Sequence, residues 1–294
     1  MMKKILGIAG VLAAALSVSA GAAHAAGGGA TPPRQTWSFA GPFGTFDRAQ
    51  IQRGFQVFKT ACAACHGLDK VSFRNLTERG GPEYTVEQVE AFAAEFMVPG
   101  GYDEFGEPVM RPATLADRWP SPFPNKVAAA AANGGKAPPD LSVIVKARTY
   151  ERGFPFWITD VFTQYDHQGV NYVAAFLQGY IDPPEDVDLS LGGHYNYYYP
   201  GNIVAMPNVL FDELVEYPRD ANGRPVVPET VAQYAKDVTA FLMWTAEPHL
   251  EQRKRIGFNV MAFLIVFAGL LYFVKKRIWA RVGGEPEPNA PGKA

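Results

Sequence analysis

The chain has 294 residues and a formal net charge of −2, but that charge is unevenly divided. Residues 26–252 hold 27 Asp and Glu against 17 Lys and Arg, a formal −10, whereas everything from Arg253 onward holds 8 basic and 2 acidic residues. An acidic body argues against nucleic acid and points to a basic protein partner, and 24 prolines with 29 glycines predict long irregular loops.

The first segment reads "MMKKILGIAGVLAAALSVSAGAAHAAGGGA". Lys3 and Lys4, an apolar run from Ile5 to Ala20 and the Ala23-His24-Ala25 pattern describe a secretory signal peptide over residues 1–25, with Ala26 as the first mature residue. An uncleaved anchor helix is the weaker alternative, because small residues break the run. Export places later cysteines in an oxidising space. The glycines at 27–29 precede no helix or strand pattern and read as a flexible leader.

Next comes a helix beginning near Thr45 or Asp47. Ile51, Phe55, Phe58, Cys62 and Cys65 are spaced 4, 3, 4 and 3, which places them on one face and predicts both thiols on the buried side. Within "KTACAACHG" lie the only two cysteines of the chain, followed at once by His66. Three chemistries use such a pair: a redox disulfide, half of a zinc site, and covalent haem with the histidine as an iron ligand. Zinc needs four ligands, yet His167, His194 and His249 are isolated. A thioredoxin-like disulfide is expected beside a βαβ pattern that is not evident here. Covalent haem c fits best, one per chain, with thioethers to Cys62 and Cys65 and His66 on the iron.

Further helices come in order. Thr85 with Gln88 forms a capping-box pair ahead of Val89, Phe92, Ala93 and Phe96. Asp140 can cap "LSVIVKAR", and residues 169–178, "GVNYVAAFLQ", end in Gly179. A last soluble helix starts near Thr230 with Val231, Tyr234, Val238, Phe241, Leu242 and Thr245 on one stripe, and Pro248 marks a kink after it. Strand signals are short and weak.

From Ile256 to Val274 the chain is apolar apart from Asn259, bracketed by "RKR" and "KKR" with Tyr272 and Trp279 near one end. Nineteen such residues reach about 28 Å, close to the hydrocarbon thickness of a bilayer. Residues 253–279 therefore read as a transmembrane anchor with basic flanks. The flanking charges are matched, so orientation is set by the signal peptide: residues 26–252 are exported and residues 280–294 form a cytoplasmic tail. The fold class expected is mainly α, a haem domain with long loops plus one C-terminal transmembrane helix.

A sixth iron ligand must come from elsewhere. Met243 on the last soluble helix and Met261 in the span suit core or membrane packing, and Met97 lies near the end of a helix. Met110 and Met206 sit in proline-containing loops, and the sequence favours Met206 only mildly, leaving a second histidine or an open position as alternatives.

Four stretches, "WSFAGPFGTFDRAQIQRGFQVFKTACAACHG", "GGKAPPDLSVIVKAR", "YYYPGNIVAMPNVL" and "AKDVTAFLMWTAEPHLEQRKRIGF", closely resemble the cytochrome c1 family, the haem c subunits of cytochrome bc1 complexes, in its bacterial form. The similarity runs from about Trp37 to the end of the membrane span. It implies a class I cytochrome c-like haem domain, thioethers at Cys62 and Cys65, His66 as proximal ligand and Met206 as distal ligand. It also implies that Pro139, Arg148, Tyr172 and Tyr199 line the haem pocket, with Arg148 near a propionate. Where some bacterial members staple a loop with a further cysteine pair, this chain has no cysteine beyond the motif.

The resemblance further implies a subunit of a quinol:cytochrome c oxidoreductase, not an enzyme on its own. It takes one electron from a Rieske iron–sulfur protein, works beside cytochrome b in a dimeric complex, and delivers to a soluble basic c-type cytochrome. The site would be the bacterial inner membrane with the haem domain in the periplasm. A free-standing membrane-tethered carrier is the alternative, and a haem peroxidase would require an open iron position.

Overall fold

The computed structural model describes residues 29–150, 158, 167–190 and 192–280. The expected signal peptide and nearly all of residues 280–294, expected as a cytoplasmic tail, lie outside the described residues. What is described is mainly helical, with two small antiparallel pairs of strands.

Helix α1, Arg48–Val57, starts where Asp47 caps it by accepting from the Gln50 amide. It runs without a break into a π turn, Phe58–Cys62. A short 3₁₀ turn, Phe73–Thr77, precedes α2, Val86–Ala93, and α2 begins on the capping box expected of Thr85 and Gln88. Then comes a hairpin that the sequence did not signal: β1, Met97–Tyr102, pairs with β2, Pro108–Pro112, across a bulge at Pro99–Gly101. Met97 is thus in a strand and not at a helix end, and Met110 is in a strand opposite Pro99 and not in a loop.

Helix α3 covers Lys126–Ala132, and α4 covers Gln168–Gln178. The segment after Asp140 is not the helix expected. Residues 142–146 form a run of turns, because Val143, Ile144 and Val145 are β-branched and lose rotamer freedom in a helix. Helix α4 does stop at Gly179, though φ there is −84° and not left-handed. Glycine is needed for space: a Cβ at 179 would lie 2.6 Å from Asn196 Oδ1. Strands β3, His194–Tyr195, and β4, Ile203–Val204, make a two-residue ladder.

Helix α5, Val231–Ala246, is the hub. It is capped by Thr230 as expected, and nearly every side chain from Tyr234 to Thr245 is buried. A helix enclosed on all sides cannot be amphipathic, which is why the stripe read from sequence was only part of its buried surface. Helix α1 crosses it so closely that a Cβ on Gly54 would lie 2.0 Å from the Asp237 carbonyl oxygen. At that crossing the fully buried Asp237 carboxylate accepts from Arg53 Nε at 2.9 Å, Gln50 at 3.1 Å, Gln233 at 2.8 Å and the Tyr217 hydroxyl at 3.0 Å. Phe55, Phe58, Phe73, Phe92, Phe96 and Trp119 form an aromatic cluster that reaches Phe241 of α5 through Phe55 and Phe58.

Pro248 breaks the chain between α5 and α6, Leu250–Trp279. The α6 helix is 30 residues long with a mean hydropathy of 2.2 in its most apolar window, and that window buries nothing against the rest of the chain. At 1.5 Å per residue it extends about 45 Å, enough to cross a bilayer with its basic flanks in the headgroups.

Candidate haem site

The π turn decides how the motif is displayed. Ala63 donates to the Phe58 carbonyl five residues back at 2.9 Å, which adds a residue to the turn and rotates Cys65 and His66 relative to α1. Cys62 stays buried, and burial pushes its thiol up to about 12. Cys65, expected on the same buried face, is exposed instead. His66 returns to the interior, its amide held by the Cys62 carbonyl at 2.9 Å.

His66 Nδ1 lies 2.7 Å from the Pro139 carbonyl oxygen. A carbonyl only accepts, so Nδ1 carries the proton and Nε2 presents its lone pair. Burial also lowers the imidazole pKa, against smaller opposing effects of that bond and Asp140, which favours the neutral, ligating form. Pro139 itself is held in register: Leu141 donates to the Gly67 carbonyl at 2.9 Å, and Asp140 accepts from the Asp69 amide at 2.7 Å and the Ser142 amide at 3.0 Å. The expected cap at Asp140 thus ties two loops together. Pro139, expected as a pocket residue, acts through its backbone oxygen.

A second group of predicted residues gathers on α4. Tyr172 is buried and stacks on Phe176 at 6.2 Å, and Phe176 meets Tyr180 at 5.8 Å and Tyr199 at 6.1 Å. The Tyr172 hydroxyl is pushed up by burial and pulled back by the nearby charge of Arg148. Arg148 is exposed and donates to the neighbouring Ala147 carbonyl at 3.1 Å. The structure therefore brings Arg148, Tyr172 and Tyr199 into one neighbourhood.

Met206 is half-buried in the loop after β4 and packs against the hydrophobic core. Its carbonyl accepts from the Tyr180 hydroxyl at 3.0 Å. Tyr180 was not singled out by sequence reasoning; it lies just past the Gly179 stop of α4, in a bridge with Asn196, so no helical spacing marks it. Asn196 was missed as well: fully buried, it donates to the Phe176 carbonyl at 2.8 Å and accepts from the Tyr198 amide at 3.1 Å, fixing the Tyr199 loop on α4. Met110 is half-exposed on the hairpin, and Met243 is buried in α5, as expected of packing residues.

The donor set suits haem c. It offers two uncrosslinked thiols three residues apart, a neutral imidazole with Nε2 free of the Pro139 bond, a thioether on a restrained loop and a wall of aromatic rings. Among the described residues the Tyr150 hydroxyl, two positions beyond Arg148, is buried with no hydrogen-bond partner, an orphan that a polar edge of a bound group would satisfy.

The model of the Cytochrome C1 family matches residues 37–282. The chain is 49% identical to cytochrome c1 of Blastochloris viridis over 258 residues, covering 87% of this chain and 89% of that protein. It is 44% identical to the mitochondrial cytochrome c1 heme protein of Saccharomyces cerevisiae over 267 residues, 90% of this chain and 78% of that one. It is 56% identical over 259 residues to a protein named cytochrome b/c1 from Bradyrhizobium diazoefficiens; there 88% of this chain spans only 37% of the relative. A match over most of the chain, coinciding with the motif, the Pro139 lock and the apolar C-terminal helix, shows that the chain belongs to the Cytochrome C1 family.

Proposed function

We propose that the chain is the membrane-anchored, mono-haem electron-transfer subunit of a cytochrome bc1 complex. In this reading it accepts one electron from a Rieske iron–sulfur protein beside cytochrome b and passes it to a soluble, basic c-type cytochrome. The observation that carries the proposal is the His66–Pro139 contact beside Cys62 and Cys65, because it delivers a neutral imidazole of fixed tautomer at a covalent haem motif. Cys62 and Cys65 would hold the haem, His66 and Met206 would be its axial ligands, and Arg148, Tyr172 and Tyr199 would flank it.

When bound, haem iron supplies the one-electron valence change, so no side chain here is required as acid, base or nucleophile. The protein contributes position and potential. His66 is oriented through Pro139 and Met206 through Tyr180, and the rings of Tyr172 and Phe176 would add apolar surface against a bound haem. The exposed run Asp182, Glu185, Asp186 and Asp188 begins two residues after Tyr180, so an acidic docking patch adjoins the loop that carries the distal ligand.

We place the body, residues 26–252, on the periplasmic side of a bacterial inner membrane after removal of residues 1–25, with residues 253–279 spanning and 280–294 cytoplasmic. The complex is taken to be dimeric. Purification tests the whole: colour that survives acid-acetone extraction shows covalent haem, and stable co-purification with a haem b protein shows a complex. Purification as a lone coloured chain would overturn the bc1 assignment in favour of a free-standing tethered carrier.

A further inference from the structure

Residues 38–45 form a closed loop just ahead of α1. The Thr45 amide donates to the Ser38 carbonyl at 3.1 Å and closes the neck. The tip needs two glycines: Gly41 sits at φ 70°, and a Cβ on Gly44 would lie 2.0 Å from the Ala40 carbonyl oxygen. Trp37, Phe39 and Phe46 around the loop are buried in the body, yet Phe43 at the tip is 73% exposed.

The loop is laid along α6 by three contacts. The Phe46 amide donates to Glu251 Oε1 at 2.8 Å, Lys254 Nζ donates to the Phe39 carbonyl, and the Phe43 ring meets the Phe258 ring edge-on at 5.5 Å. Positions 251, 254 and 258 are spaced three and four apart and share one helical face. At 1.5 Å per residue, Phe258 lies about 10 Å further along the helix than Glu251. Arg253, Lys254 and Arg255 lie between them, and Phe258 is the third residue of the apolar run Ile256–Val274. The tip of the loop therefore sits beyond the basic belt, level with the start of the hydrocarbon-facing helix.

We propose that Phe43 is a second membrane contact, its ring inserted in lipid at the boundary between headgroups and acyl chains beside α6. An aromatic ring is suited to that depth, and the basic triplet next to it suits anionic headgroups. A single helix leaves the body free to swivel about the helix axis; an off-axis contact joined to the same helix sets which side of the body faces the bilayer. The inference rests on the reading of α6 as a membrane span.

The test is photo-crosslinking of the full, haem-loaded chain in native membranes, with p-benzoylphenylalanine placed singly at Phe43, at Phe267 in mid-span, or at Phe105, which is 81% exposed at the tip of the β1–β2 hairpin. Haem retention verifies that each variant has folded. The expected result is a mass increase of one phospholipid on the peptide containing position 43 and on that containing position 267, and none at 105. Adducts at 43 only to another protein subunit, no adduct while 267 labels lipid, or equal lipid labelling at 43 and 105 each overturn the proposal and leave the span intact. Failure at both 43 and 267 overturns the span reading together with it.

Discussion

Arg53, on the helix that leads into the cysteine motif, donates from Nε at 2.9 Å to Asp237, a carboxylate with no solvent exposure on the central helix α5. This contact joins the segment that leads to Cys62, Cys65 and His66 to the helix that precedes α6. Removing one partner of such a pair strands the other charge in the interior, at a cost of about 3–5 kcal/mol. Asp237→Asn is expected to lose about that much, measured by thermal or denaturant unfolding of the haem-loaded protein. Arg53→Leu with Asp237→Leu should cost less than Asp237→Leu alone, because the double change leaves no unpaired charge. Equal costs would show that the carboxylate serves mainly Gln50, Gln233 and Tyr217.

Glu247 holds the turn between α5 and α6. It accepts from Lys146 Nζ at 2.8 Å and from Arg253. Burial works to raise its pKa, but the hydrogen bonds from Arg253 and Lys146 outweigh it, and the folded value is lowered. A depressed carboxylate contributes stability that is present above its unfolded value, about 4.3, and is lost as pH falls through the folded value. Unfolding free energy measured from pH 7 downward should therefore drop below about pH 4.3 in the wild type. Glu247→Gln should remove that component and cost on the order of 1 kcal/mol at pH 7. A Glu247→Gln profile parallel to wild type throughout would show that other carboxylates govern the acid limb.

What the sequence displays is the chemistry contained within a few consecutive residues. Asp47, Thr85 with Gln88, Thr230 and Pro248 each act on the backbone within about four residues, and the structure has helix boundaries at all of them. The motif Cys62-Cys65-His66 and the apolar run 256–274 are local in the same sense. The hairpin was hidden because Pro99, Gly100, Gly101, Pro108 and Pro112 disrupt strand alternation, and its stability comes from pairing across the turn. Pro139 and His66 are 73 positions apart, and Arg53 and Asp237 are 184 apart, so no local pattern announces either contact. The exposure of Cys65 depends on one extra residue in a π turn, which a period of 3.6 does not anticipate.

The acidic run after Tyr180 gives a kinetic prediction. Asp182, Glu185, Asp186 and Asp188 are all exposed. Raising salt from about 0.02 to about 0.2 M shortens the screening length from about 20 to about 7 Å, so electron transfer to a basic cytochrome should slow. The triple change Asp182→Asn, Glu185→Gln, Asp186→Asn should lower the second-order rate at low salt, flatten its salt dependence and converge on wild type at high salt. Stopped-flow reduction of the acceptor measures both. A wild-type rate indifferent to salt would rule out steering by this patch.

The distal ligand is tested through Tyr180 and Met206 together. The Tyr180 hydroxyl holds the Met206 carbonyl at 3.0 Å, so Tyr180→Phe removes one hydrogen bond from the loop without touching sulfur. A net loss of about 0.5–1.5 kcal/mol corresponds to roughly a 2- to 12-fold rise in the fraction of protein with the loop released. Carbon monoxide binding to the reduced protein should accelerate by the same factor, while haem stays attached. Met206→His is the stronger change. Thioether ligation raises the potential, and axial ligands span roughly 0.8 V across haem proteins, so exchange for imidazole is expected to lower the midpoint by on the order of 200 mV. At 59 mV per tenfold for one electron, sharing with a high-potential donor shifts by about 10³. Turnover should nearly stop, with covalent haem retained through Cys62 and Cys65. Met110→His, on the exposed hairpin, should leave midpoint and spectrum at wild-type values. If Met110→His loses the high potential and Met206→His keeps it, the distal ligand is Met110, and the Tyr180 bond serves packing alone.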